Sequence, residues 1–252
     1  MGTAFRSGYA ARVPRSPPPS SISPTSWLQR LQESVPIARS AAAPEAVHDL
    51  RVSAARLDVW LRMAGWRVLR DDLRWLRRQA ARVREIDVVL AGSPPRLAPE
   101  LERLRAQAHA VLETALALPR VESLLLALSL LPPLRKKQAR DFVARQRSRV
   151  ARRGRVAQKS TAAPEDLHRL RRAVRRLRYA LEWTGSRDPL LEELQGALGE
   201  LNDAAAGLRL IESLPESAAL RELRAGFERE SQRLRERALS QWRAAQEKIG
   251  EA

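Results

Sequence analysis

From Thr25 onward the apolar positions recur at helical spacing. Leu167, Leu170, Val174, Leu177 and Leu181 follow one another at intervals of 3-4-3-4, and Val47, Leu50, Ala54, Leu57 and Leu61 do the same. That spacing keeps side chains on one face of a 3.6-residue turn. Leu, Ala, Arg and Glu, all good helix formers, dominate, while aromatic and β-branched residues are scarce, so strands have little support. Breakers divide the chain into predicted helices near 25–39, 44–65, 68–91, 97–118, 119–131, 133–153, 164–184, 188–213 and 216–249. Pro44 and Pro164 stand where a first-turn proline belongs, and the Glu45 and Glu165 that follow suit a helix N-terminus. The fold class expected is all-α.

Residues 1–24 break the pattern. They hold Pro14, Pro17-Pro18-Pro19 and Pro24, and no acid occurs before Glu33. This composition resembles a transit peptide, but it lacks the apolar core of a secretory signal and reads as a disordered tail. The expected domain therefore spans 25–252, with helical halves at 25–132 and 133–252. The longest apolar run, Ser123 to Leu131, ends at Pro132-Pro133 and is too short to cross a bilayer.

Composition narrows the chemistry. The 252 residues include no cysteine, which excludes disulfides, thiolate metal sites and a cysteine nucleophile. Eleven scattered glycines form no phosphate-cradling loop. The 46 basic residues exceed the 29 acidic ones, for a net charge of +17. By segment, residues 1–40 carry +4, 41–133 carry +3, 134–181 carry +14 and 182–252 carry −4. A GC-rich coding sequence also enriches Arg with Ala and Leu, so position rather than composition decides. A solvated helix face interleaves both signs, whereas a block this lopsided repels itself and points to a polyanionic partner.

One residue beyond the apolar stripe of the second helix lies another stripe at the same spacing: His168, Arg171, Arg175, Arg178 and Glu182, turned by about 100°. Arg172 and Arg176 widen it. The preceding basic helix adds Lys137, Arg145, Arg149 and Arg152, and packing beside 164–184 would make a cationic trough. The segment Pro44-Glu-Ala-Val-His48-Asp-Leu-Arg51 returns 120 residues later as Pro164-Glu-Asp-Leu-His168-Arg-Leu-Arg171. Each copy is followed by a short polar motif, Arg84-Glu85-Ile86-Asp87 and Leu198-Gly-Glu-Leu-Asn202-Asp203. A duplicated helical unit, packing as a pseudo-symmetric pair of bundles, explains the recurrence.

Two His-x-x-Arg motifs on basic helices, each with its trailing polar motif, resemble the CHAD family (conserved histidine α-helical domain) over about residues 27–249. The stretch His168-Arg-Leu-Arg171-Arg-Ala-Val-Arg175-Arg176-Leu-Arg178-Tyr179-Ala-Leu-Glu182 carries the resemblance most specifically. It implies two four-helix bundles about a pseudo-twofold and a basic central cavity that binds inorganic polyphosphate. It also implies cytoplasmic association with polyphosphate granules. Carried over by position, the lining residues would be His48, Arg51, Arg56, His168, Arg171, Arg175, Arg176 and Arg178. The first copy departs from the family at Ala55, Asp58 and Glu85. The Glu-x-Glu-x-Lys motif of the triphosphate-tunnel domain fused to some members is missing; the nearest string is Glu228-Arg-Glu230-Ser-Gln232.

Arginine neighbours repel a cation, so no metal or other cofactor is expected at the histidines, and no carboxylate cluster that would hold Mg²⁺ for phosphoryl transfer lies on the basic stripe. The expected activity is binding without turnover. Asp203, with Glu85 and Asp87, is expected to orient arginines rather than touch an anion. The six Trp read as core residues. A helical nucleic-acid binder is the alternative the same charge supports, although few aromatics are present for base stacking. His109 has no matching motif and reads as incidental.

Overall fold

The computed structural model describes residues 22–40, 43–214 and 217–250. The described residues form ten α-helices: α1 (Thr25–Ser40), α2 (Pro44–Ala64), α3 (Arg70–Gln79), α4 (Ala81–Gly92), α5 (Ala98–Leu116), α6 (Pro119–Ser129), α7 (Lys136–Ala157), α8 (Pro164–Trp183), α9 (Pro189–Glu212) and α10 (Ala218–Gly250). A short 3-10 turn at Pro95–Leu97 precedes α5. Among the described residues the only strand-like pairing is an isolated bridge between Ile22 and Leu134.

Local chemistry sets several helix ends. Pro44 and Pro164 open α2 and α8, each with acid in the first turn. Asp188 caps α9, its Oδ1 accepting from the N–H groups of Leu190 and Leu191 at 3.1 and 3.3 Å. Gly65 closes α2 at φ 79°, a left-handed position that suits glycine.

Two expected boundaries differ. The tail read over 1–24 does not extend to its end. Ile22 is buried, and its carbonyl accepts from both Leu134 N–H and Trp60 Nε1, each at 3.0 Å. The remainder of that segment, 1–21, lies outside the described residues. The single helix predicted over 68–91 is two, joined by an elbow at Ala80 (φ −80°, ψ 0°). No proline or glycine marks the elbow. Leu73, Leu76, Ala80 and Val83 belong to one core, whereas Ile86 and Val89 belong to another, and a straight helix could not serve both.

Three apolar cores support the molecule. The first joins α1, α2, α3 and α6 with Val83 of α4, Leu112 and Leu116 of α5, Ala139 and Phe142 of α7, and Tyr179, Ala180 and Trp183 of α8. The second lies within α7, α8, α9 and α10. The third joins α4, α5, α9 and α10. Each fully buried Leu or Trp in these clusters contributes about 1.5–3 kcal/mol of transfer free energy. Trp60, Trp183 and Trp242 are core residues as read from sequence, whereas Trp66, just past α2, is 42% exposed. Gly154 on α7 is a close approach: a Cβ there would overlap the Trp242 ring, so α7 and α10 meet as they do because that position has none.

The contacts that place the site run between the halves. Helix α2 packs on α7 and α8, and α4 packs on α9. The helices bearing the two His-x-x-Arg motifs are thus direct neighbours. No helix of the described residues is long and apolar enough to cross a membrane.

Candidate functional site

A cavity of about 440 Å³ opens where α2, α3, α4, α8 and α9 converge. On α8 the residues one place beyond the apolar seam, His168, Arg171 and Arg175, face it, and Arg172 and Arg176 widen that wall. On α2 the equivalent register contributes Arg51, Ala55, Asp58 and Arg62. The same register appears on α3 and α4. Leu73, Leu76 and Val83 are wholly buried, and the residues that follow them, Arg74, Arg77 and Arg84, line the cavity. Glu85 from α4 and Asn202, Asp203, Ala206 and Arg209 from α9 complete the polar lining.

Ten arginines therefore face three carboxylates across one recess. Arg62 is held by Asp58 at 2.8 Å, and Asp58 also binds Arg70 at 3.2 Å. Arg74 pairs with Asp71 at 2.9 Å. Among the described residues, the other eight, Arg51, Arg77, Arg84, Arg171, Arg172, Arg175, Arg176 and Arg209, form no ion pair with any carboxylate. Arg51 instead donates from Nη1 to the carbonyl of Arg77 at 3.0 Å, and the Nε groups of Arg74 and Arg77 are buried without an acceptor.

Crowding leaves an electrostatic signature. Burial first, and then the charge of Arg175, pull Arg77 and Arg171 down to about 10. Burial and then Arg62 and Arg149 do the same to Arg176. Arg51 is lowered by burial and by Arg175. All stay charged at neutral pH, so the shifts reflect desolvation first and mutual repulsion second, both of which an entering anion offsets. His168 is held below its ordinary value by partial burial and by Arg172 and Arg171, partly opposed by its hydrogen bond to Asn202. Asn202 in turn donates from Nδ2 to Asp203 Oδ1 at 3.4 Å.

The residues nominated from sequence separate into two groups. Arg51, His168, Arg171, Arg172, Arg175 and Arg176 come together at the cavity. His48, Arg56, Arg178, Lys137, Arg145, Arg149 and Arg152 do not line it. His48 is half-buried on α2, where burial and Arg84 lower its pKa. Arg56 is buried in packing: its guanidinium lies between the rings of Trp27 and Tyr179, 4.0 and 4.2 Å from their centroids, and Nε donates to Glu182 at 2.9 Å. The cause is that α2 is buried on every side from Ser53 to Leu61. Arg178 donates from Nε to Gln195 Oε1 at 2.7 Å, beyond the end of the recess. Lys137, Arg145, Arg149 and Arg152 point outward from α7.

Asp203 lines the cavity but clamps no arginine; it raises the pKa of Arg51 and Arg171 from a distance, against the effect of burial. Asp87 lies apart, buried against Arg105. Arg74, Arg77, Arg62, Arg84 and Arg209 line the cavity without having been nominated as site residues from the sequence. The signal for the first two was present, since both stand one place beyond a buried leucine. His109 binds the carbonyl of Ala38 at 2.9 Å, a packing contact. Among the described residues no group of three or more His, Asp and Glu side chains converges as a metal ion would need.

The fold has relatives of known structure. The chain resembles the CHAD domain from the plant Ricinus communis with a TM-score of 0.73 and 24% identity, covering 88% of each chain. It resembles PptA from Streptomyces chartreusis with a TM-score of 0.70 and 18% identity, covering 90% of this chain and 100% of the other. No curated protein matches it. The model of the CHAD domain matches residues 25–212, which takes in every helix that lines the cavity, and the chain belongs to the CHAD domain family.

Proposed function

We propose that the cavity binds inorganic polyphosphate and does not cleave it. The observation that carries this reading is the set of eight arginines sharing one recess with no carboxylate partner. Like charges confined in a partly desolvated hollow are unfavourable unless a counter-charge enters, and a chain of phosphoryl groups supplies regularly spaced oxyanions with no bases to read. Charge-assisted hydrogen bonds and counterion release then supply the affinity, which falls steeply with salt. Association with polyphosphate granules in the cytoplasm is the cellular role that follows.

The lining holds no Trp, Tyr or Phe, so single-stranded nucleic acid would find no stacking platform. A duplex presents its phosphates on a convex rod that a concave recess of this size does not admit. Among the described residues no metal-holding cluster of carboxylates and histidines stands among the cavity arginines, which is why turnover is not expected.

A competition assay tests the reading: long-chain polyphosphate against duplex DNA and RNA of equal charge at moderate salt. Polyphosphate is expected to win, and victory by nucleic acid overturns the proposal. Arg171→Glu with Arg175→Glu is expected to weaken polyphosphate binding at least about a hundredfold, two charge-assisted contacts being reversed, with the helical circular dichroism unchanged. Orthophosphate release by the purified protein with Mg²⁺ or Mn²⁺ would overturn the non-catalytic part.

A further inference from the structure

The stretch from Met63 to Leu69, which carries α2 into α3, is pinned at both ends by one acid. Asp58 is buried in α2, and its two oxygens are divided: Oδ2 accepts from Arg62 Nε at 2.8 Å, and Oδ1 accepts from Arg70 Nε, at the start of α3, at 3.2 Å. Between these two arginines the backbone is strained. Leu69 stands at φ 68°, and among the described residues it is the one non-glycine in that left-handed region. No side chain caps the start of α3. Trp66 and Val68, on the same turn, are exposed. The corresponding turn of the second copy, 120 residues on, is built conventionally. Gly185 repeats the left-handed Gly65, but Pro189 stands in place of Leu69 and Asp188 caps α9. Arg178 and Glu182 stand in place of Asp58 and Arg62, and Glu182 is committed to Arg56.

The clamp is also part of the cavity wall. Asp58 and Arg62 both line the recess. A phosphoryl group arriving beside them offers Arg62 an oxyanion in place of the Asp58 carboxylate. That exchanges one charge-assisted hydrogen bond for another, while the incoming charge repels Asp58. Once Arg62 has turned to the ligand, Asp58 no longer ties α2 to the start of α3. The strain at Leu69 then favours a relaxed turn.

We propose that the Arg62–Asp58–Arg70 clamp is a switch held under strain: an anion in the cavity takes Arg62, the clamp opens, and the turn bearing Trp66 and Val68 rearranges, so that an outer surface responds to the filling of the recess. This rests on the cavity reading above. Amide hydrogen exchange with and without saturating tripolyphosphate tests it. The Trp66 N–H donates to the Leu61 carbonyl at 2.9 Å, and the Leu73 N–H donates to the Leu69 carbonyl at 3.0 Å. Exchange at both is expected to quicken at least about tenfold on binding, while the amides of α8 slow. Asp58→Asn and, separately, Arg62→Gln are expected to exchange fast there without ligand and to gain nothing from it. Asp203→Asn removes a cavity charge that clamps no arginine, and it should keep the ligand-induced rise. A spin label on Val68→Cys, the sole thiol in a chain without cysteine, should become more mobile as tripolyphosphate binds.

Exchange at Trp66 and Leu73 that is unchanged or slower with tripolyphosphate bound overturns the switch. So does a ligand-induced rise that survives Asp58→Asn, or one that Asp203→Asn abolishes while binding persists. Failure of the unaltered protein to bind tripolyphosphate by titration calorimetry is a different result: it removes the cavity reading, and the switch with it.

Discussion

Helices α2 and α8 begin with the same Pro-Glu turn and carry the same His-x-x-Arg spacing, yet they are used differently. Position by position, offset by 120 residues, Arg56 answers to Arg176, Asp58 to Arg178 and Arg62 to Glu182. Arg176 lines the cavity, whereas Arg56 is enclosed between Trp27 and Tyr179. Arg62 and Asp58 line the cavity, whereas Glu182 turns away to bind Arg56. A shared register fixes which way a residue points from its own helix axis; the neighbours decide what waits there. Helix α2 is covered on all sides through its middle, while α8 leaves its arginine-bearing flanks partly open.

The sharpest way to break this comparison is to truncate the equivalent pair. Arg56→Ala is expected to destabilise the fold by about 3 kcal/mol, because it leaves Glu182 unpaired against an emptied aromatic slot. A thermal melt should show a fall of roughly 6–12 °C for a chain of this size. Arg176→Ala is expected to leave the melt in place and to weaken polyphosphate about tenfold. If both variants behaved alike, the two helices would not be specialised.

Asp58→Asn tests the carboxylate that α2 places in the wall. Releasing Arg62 and Arg70 from it should raise polyphosphate affinity severalfold and steepen the salt slope by about 1. It should also lower stability by about 1–3 kcal/mol, since both ion pairs lose their acceptor charge. Isothermal titration at several salt concentrations with a urea melt separates the two effects.

The smallest effect concerns the histidines. Both His48 and His168 are held below their ordinary value in the folded protein. The unfolded chain therefore takes up protons first as pH falls below 6.5, and the ligand-free fold loses stability from there downward. A bound polyanion raises the pKa of the histidine it faces, so affinity should move the opposite way, rising several-fold between pH 7.5 and 5.5. His168→Ala should flatten that rise, whereas His48→Ala, away from the lining, should leave most of it.

The sequence made the helical class and the α8 wall legible because Leu167, Leu170 and Val174 fix a face, and the residue after each follows by about 100°. The same rule, applied to Leu73, Leu76 and Val83, would have found Arg74, Arg77 and Arg84. That stripe, Leu73, Leu76, Ala80 and Val83 at 3-4-3 spacing, runs through the elbow at Ala80, which has no breaker residue and stands where the segment passes from one core to another. Arg56, carried over by position from the family resemblance, was misplaced because that carry-over takes no account of how many faces of the helix are covered. Val59, Trp60, Leu61 and Met63 pack α2 all round, a pattern that belongs to a central helix. The outward turn of Lys137, Arg145, Arg149 and Arg152 follows from the stripe that α7 buries, Ala139, Phe142, Gln146, Val150, Gly154 and Ala157, which polar Gln146 and the small residues make faint in the sequence.

Helix α10 has a consequence beyond the cavity. Its 33 residues make a rod about 50 Å long. Leu220, Phe227 and Leu234 lie in the core shared with α4 and α5, and Ala238, Trp242, Ala245 and Ile249 lie in the core shared with α7 and α8. With α9, which also enters both, this splint clamps two hydrophobic clusters that otherwise touch different helices. Neither cluster can come apart without stripping the splint from the other, which binds them into a single cooperative melting unit.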